Sequence, residues 1–161
     1  MASRTRVGIG YDSHRFAPGD GMMLGGVLVP APFTLVGHSD ADAVLHAITD
    51  AILGGAGIGD IGEMFPDSDP TNAGRPSLEM MRLATERVWH IGWNPVQIDV
   101  TVITEQPKIG PYRSAMCETI AYALGLTPSD VMVKGKTNEK MGWIGRAEGL
   151  AVIAVATLET A

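Results

Sequence analysis

Asp12-Ser13-His14 is the sharpest chemical pattern in the chain. Residues two apart on a strand point the same way, so Asp12 and His14 share a face with Gly8 and Gly10. The glycines leave that face open for something to approach. A second histidine, His46, has Asp42 and Asp50 at i−4 and i+4. At about 100° per residue these three lie opposite Val44, Ile48 and Ile52, the stripe a helix here would bury. One carboxylate and two imidazoles suit a catalytic zinc with an open fourth position. With Zn²⁺ the set carries a net charge of about +1 and still attracts a phosphate oxygen. The bland reading is an Asp and a His at a strand end and a His on a polar helix face. The D-x-H spacing alone leaves both open.

Three other segments carry polar chemistry. His38-Ser39 stands where the helix bearing His46 is expected to begin, so backbone N–H groups and the helix dipole favour an anion there. Simple capping by Ser39, with Asp42 in the capping-box position, is the plainer role. Asp60, Glu63, Asp67 and Asp69 sit in a glycine- and proline-rich stretch, where carboxylates serve ribose hydroxyls, a divalent cation or nothing beyond turn formation. Lys134, Lys136, Lys140 and Arg146 face a single acid, Glu139, in a glycine-rich segment of a chain whose net charge is −6. That local reversal of sign favours a phosphate-binding turn. The segment is not a Walker A loop, and no G-x-S-x-G nucleophile elbow occurs.

The elements that must position these groups are legible in outline. Residues 5–14 alternate as a strand, and Val27-Leu28-Val29 is a second extended stretch ended by Pro30. A helix is predicted from Ser39 to about Leu53, stopping at Gly54-Gly55, followed by a loop over 56–75. Further helices are predicted over 76–91 and 111–124, with strands over 96–104, 131–136 and 150–158. The last strand is apolar on both faces, so both must be covered. Helices can cover one, and the other suits a neighbouring subunit. The fold class is α/β or α+β, a single domain with one mixed sheet and about three helices on one face.

At 161 residues, 45% hydrophobic and 19% charged, the chain is long enough for one self-sufficient core and too apolar for general disorder. Its acidic balance argues against coating nucleic acid. No apolar run reaches the roughly 20 residues of a membrane-spanning helix. Residues 1–6 lead into no signal-peptide core, and the single Cys117 cannot form an intrachain disulfide. A cytoplasmic location is therefore expected.

Taken together, the segments resemble the 2-C-methyl-D-erythritol 2,4-cyclodiphosphate synthase family of the non-mevalonate isoprenoid route. The matching stretches are Gly10–His14, His38–His46, Gly59–Gly62 with Phe65-Pro66-Asp67, Gln106-Pro107-Lys108, and Lys136–Lys140 through Gly145-Arg146. One departure is Gly135-Lys136 before Thr137, where many members carry Ala-Thr.

The resemblance implies a lyase in which the 2-phosphate of 4-diphosphocytidyl-2-C-methyl-D-erythritol 2-phosphate attacks the β-phosphorus and CMP leaves. It implies Zn²⁺ on Asp12, His14 and His46, and a second cation, Mg²⁺ or Mn²⁺, on Glu139. His38 and Thr137 match transition-state stabilisers. Ser39, Asp60, Ile61, Gly62, Phe65 and Asp67 would line the substrate site. Thr104, Gln106, Pro107, Lys108, Ile109 and Gly110 would wrap the cytosine, with Lys136 and Asn138 beside them. A homotrimer with sheets facing the threefold axis and sites between subunits is implied. Trp143 and Arg146 match residues that in some relatives hold an isoprenoid diphosphate on that axis. The plainer roles are core packing for Trp143 and pairing with Glu148 for Arg146. The metal ligands would equally serve a zinc phosphodiesterase, or a non-catalytic module that binds metal or isoprenoid diphosphate.

Overall fold

The computed structural model describes residues 2–160. Its frame is a five-stranded mixed sheet ordered β4-β1-β7-β5-β6, built from β1 (Thr5–Pro18), β4 (Phe33–Leu35), β5 (Trp93–Ile103), β6 (Val131–Lys136) and β7 (Gly149–Thr160). Only β5 and β6 run parallel. A separate hairpin pairs β2 (Gly21–Leu24) with β3 (Val27–Pro30). Three longer helices, α1 (Ala43–Ala56), α3 (Ser77–His90) and α4 (Arg113–Leu124), pack on one side of the sheet, and α2 (Ile61–Met64) and α5 (Gly142–Gly145) are single turns.

The alternation of β1 sets the architecture. Gly8 and Gly10 turn inward beneath α1, while Val7, Ile9 and Tyr11 on the opposite face are 65%, 71% and 56% exposed. A Cβ at Gly10 would stand 1.8 Å from the Ala47 carbonyl oxygen, and one at Gly8 equally close to that of Ala51. No side chain fits there, so helix backbone rests on strand backbone. The open face of the sequence pattern is filled by α1 itself. Around this contact Ile48, Ile52, Val152, Ala154, Ala156 and Leu158 are fully buried, each large aliphatic side chain contributing about 1.5–3 kcal/mol.

The helix start differs from the sequence expectation. Asp42, not Ser39, caps α1, accepting the Leu45 N–H at 3.0 Å. The same carboxylate accepts the Gly25 and Gly26 N–H groups at 2.9 and 2.8 Å. The helix is therefore tied to the β2–β3 turn through one buried side chain. Burial pushes the Asp42 carboxyl above its ordinary value, against the pull of these three N–H donors. Asp42 is thus a buried cap and does not share a polar helix face with His46. The helix also outlasts Gly54-Gly55, ending at Ala56 with Gly57 left-handed at φ 76°.

The stretch 56–75 is not structureless, since it holds α2 and a 3₁₀ turn, Pro70–Asn72, capped by Asp60 and Asp69. The expectation that β7 is covered on both faces is met on the helix side alone within this chain. Ile153, Val155 and Thr157 on the other face are only half-buried.

Gly10→Ala is expected to cost about 3 kcal/mol or more by forcing α1 off the sheet. Urea unfolding followed by circular dichroism measures it, and a midpoint equal to wild type would show that the helix can retreat freely.

Candidate active site

The close approach of α1 to β1 brings His46 over the end of the strand's inward face. Asp12 Oδ2 lies 2.8 Å from His14 Nε2 and 3.1 Å from His46 Nδ1. One ligand atom from each residue falls within 4.8 Å of the others, and no other such cluster occurs among the described residues. His14 Nδ1 is 2.8 Å from the Val36 carbonyl oxygen. A carbonyl only accepts, so Nδ1 carries the proton and Nε2 of the neutral ring points its lone pair at a carboxylate. That arrangement is repulsive unless a proton or a cation lies between. Two nitrogens and a carboxylate oxygen thus converge as zinc requires, and the residues fit that metal.

Electrostatics without a metal tell the same story. Burial opposes ionisation of Asp12, but hydrogen bonds from both histidines outweigh it and hold its carboxyl below the ordinary value. For His14, burial disfavours the charged ring, yet the bond to Asp12 and its negative charge prevail and raise its pKa.

The triad opens into a cleft of about 410 Å³ that also includes His38, Ser39, Ile61, Gly62, Phe65 and Asp67. His38 and Asp67 approach within 3.8 Å while both remain largely exposed. Ser39 does not cap α1, and its hydroxyl lies 3.1 Å from His46 Nε2. Asp60 caps α2 at the Glu63 N–H, directly before the cleft-lining Ile61 and Gly62. Asp50 accepts the Ile61 N–H at 2.8 Å, so the lower face of α1 orients the α2 turn. Burial raises the Asp50 carboxyl, with that N–H opposing.

The other predicted residues gather elsewhere. Thr104, Pro107, Lys108, Ile109, Gly110, Lys136 and Thr137 line a second cleft of about 280 Å³, which shares no residue with the first. Within it Thr104 is buried and donates to the Gln106 carbonyl, and Ile109 is buried too. A Cβ on Gly135 would stand 2.9 Å from Ile109 Cβ, so the Gly135 departure makes room for this isoleucine. Gln106, Lys108, Thr137, Glu139 and Lys140 border an adjoining hollow with Glu105.

Glu105 carries no signal in the sequence, yet its carboxylate accepts the Asn138 and Lys140 N–H groups at 2.7 and 3.0 Å. It anchors a turn in which Glu139 and Lys140 are left-handed, at φ 53° and 60°. The Asn138 side chain is spent inside this turn, donating to the Met141 carbonyl. Trp143 is 40% exposed and borders a hollow with Ser13, His14, Arg15 and Glu148, so it does not pack the core. Arg146 pairs with Glu148 at 2.7 Å.

The profile of the YgbB family matches residues 5–159. The chain belongs to the YgbB family. Among its YgbB relatives, the 2-C-methyl-D-erythritol 2,4-cyclodiphosphate synthase of Gemmatimonas aurantiaca is 56% identical over 158 residues, 98% of this chain and 95% of that protein. The bifunctional IspDF of Campylobacter jejuni superposes with a TM-score of 0.95 at 38% identity, over 99% of this chain and 43% of that one. A 2C-methyl-D-erythritol-2,4-cyclodiphosphate synthase solved in its CDP-bound form gives a TM-score of 0.87 at 35% identity, over 95% and 99% of the two chains. In this YgbB chain the described helices include none long and apolar enough to cross a membrane.

The Asp12–His14 pairing has a defined pH window in the metal-free protein. His14, raised in the folded state, contributes fully below its unfolded value of about 6.5 and loses its contribution as pH rises through its folded value. Asp12, lowered in the folded state, contributes above about 4 and loses it as pH falls through its folded value. The stability difference between wild type and His14→Gln, read from urea midpoints after chelation, should therefore peak between about pH 4 and 6.5. A difference that is flat with pH would show that the pair is not coupled.

Proposed function

We propose that the protein converts 4-diphosphocytidyl-2-C-methyl-D-erythritol 2-phosphate into 2-C-methyl-D-erythritol 2,4-cyclodiphosphate and CMP. The observation that carries this is the Asp12/His14/His46 triad at the floor of an open cleft, in a chain so similar to named synthases. An oxygen of the 2-phosphate bonds to the β-phosphorus. The bond from that phosphorus to the oxygen bridging it to the α-phosphorus breaks, and CMP departs with that oxygen. Because the nucleophile is already part of the substrate, no protein base has to activate water. The chain must fold the substrate into attack geometry and balance crowded negative charge.

Asp12, His14 and His46 would hold Zn²⁺, and Glu139 a Mg²⁺ or Mn²⁺. These ions supply Lewis acidity and charge neutralisation to the diphosphate. His38, 77% exposed at its side chain, is free to meet a phosphate from one side. Thr137, on the Glu105-anchored turn, would meet it from the other. Ser39, Ile61, Gly62, Phe65 and Asp67 would enclose the methylerythritol and ribose, and Lys108 with its neighbours the cytosine.

The two halves sit in separate clefts, and the open sheet face exposes Val7, Ile9 and Tyr11. We infer that three copies pack these faces around an axis, joining the metal cleft of one subunit to the base cleft of the next. Head-to-tail closure gives three such shared sites. Trp143 and Arg146 would then lie near the axis, where an isoprenoid diphosphate is the ligand to try.

Incubation with the cytidyl substrate and Mg²⁺ is expected to release CMP and give the phosphorus NMR signature of a cyclic diphosphate. An open phosphate product would identify a phosphodiesterase instead. His14→Ala and His46→Ala are each expected to lose zinc and activity while remaining folded, and full zinc occupancy in both would overturn the triad. A further test mixes His46→Ala and Thr137→Ala subunits after denaturation. About a quarter of all sites should become whole if sites are shared. Activity no higher than that of the unmixed variants, with mixed trimers seen by native mass spectrometry, would place each site within one chain.

A further inference from the structure

The back of His46 is as ordered as the front. Its Nε2 lies 2.7 Å from Ser77 Oγ, a hydroxyl on the first residue of α3 that is fully buried. Ser77 is in turn held by Asp40, whose carboxylate receives both the Ser77 hydroxyl and, at 3.2 Å, the Ser77 N–H. Asp40 also receives the Asp42 N–H at 3.2 Å. All three groups around Asp40 point hydrogens at it, so it acts as an acceptor throughout.

This fixes the direction of every proton in the row. The Ser77 hydroxyl hydrogen is directed to Asp40, so the lone pairs of Ser77 Oγ face His46. A hydroxyl oxygen in that position accepts, so His46 Nε2 must be the protonated nitrogen. The neutral ring is then the tautomer whose Nδ1 lone pair points at Asp12. His14 is set in the opposite sense, its Nδ1 proton taken by Val36. The two imidazoles therefore offer different nitrogens to one point.

We propose that Asp40 and Ser77 are positioning residues for the metal centre, acting through His46. They fix its tautomer and ring orientation and raise its strength as a donor. The inference rests on the assignment of His46 as a zinc ligand. Outer hydrogen-bond partners of metal-bound histidines affect metal affinity by about 10–100-fold. Ser39, at 3.1 Å from the same nitrogen, lies on the cleft side and has no carboxylate behind it to orient its proton.

The test is zinc affinity of the full-length protein, measured by competition with a chromogenic chelator, together with nitrogen NMR of the histidine rings in the zinc-bound state. Ser77→Ala is expected to weaken zinc binding about 10–100-fold, and Ser77→Thr, which keeps the hydroxyl, to stay near wild type. Asp40→Asn supplies a second variant should Ser77→Ala fail to fold. Its amide can donate to Ser77 Oγ and turn the serine hydroxyl toward His46, which favours the wrong tautomer and should weaken zinc comparably. The wild-type spectrum should show a proton on His46 Nε2. Wild-type zinc affinity in folded Asp40→Asn and Ser77→Ala, alongside zinc loss in His46→Ala, would overturn the relay and leave the triad standing. Undiminished zinc in His46→Ala would overturn both.

Discussion

The structure depends on one contact made possible by missing side chains. Where α1 crosses β1, Gly8 and Gly10 meet the carbonyl oxygens of Ala51 and Ala47, and Gly55 closes the crossing from the helix side. Main chain against main chain is the shortest helix–strand distance available. It matters because His46 directly precedes Ala47 on the helix, and Asp12 lies two residues beyond Gly10 on the strand. A helix held off by even one methyl would carry His46 away from Asp12. The donor set is therefore built on two regular elements locked at contact distance, with only the partners of its outer nitrogens drawn from loops and from α3.

How much of this could be read in the sequence depends on how far apart the partners lie. Asp12 and His14 were legible as a pair because a strand's period of two guarantees a shared face. The alternation of β1, the β-branched run of β5 and the apolar β7 named the sheet for the same local reason. The start of α1 was not legible. Ser39 three residues before Asp42 imitates a capping box, whereas the actual cap is decided by the Gly25–Gly26 turn, 16 to 17 residues away along the chain. β2 carries no strand signal, because Gly-Met-Met-Leu has none of the β-branched character that marks a strand. Ser77 and Glu105 were invisible for a similar reason. Each is a lone polar residue whose partners lie 31 or more positions away.

The alternation of β1 also divides labour between its two faces. Inward positions carry Gly8, Gly10, Asp12 and His14, which together dock the helix and hold the donor set. Outward positions carry Val7, Ile9 and Tyr11, the most exposed part of an apolar strip that continues onto Ile153 and Val155. This is the apolar surface that the proposed trimer would bury. A one-residue slip of register against β7 would exchange the two sets, destroying both at once. Eleven consecutive pairs between β1 and β7, from Thr5↔Glu159 to Arg15↔Gly149, hold that register.

The turn anchored by Glu105 bears on how this protein divides its entropy. Left-handed backbone at two non-glycine residues, Glu139 and Lys140, costs about 1–2 kcal/mol each, and the Glu105 carboxylate offsets it by gripping the N–H groups on either side of Glu139. The conformational freedom of Thr137 and Glu139 is thus surrendered once, when the chain folds. On the proposed function, a substrate arriving at this turn would meet side chains whose backbone is already stationary. Its affinity would not be reduced by the work of arresting that backbone, and its departure would not set it loose.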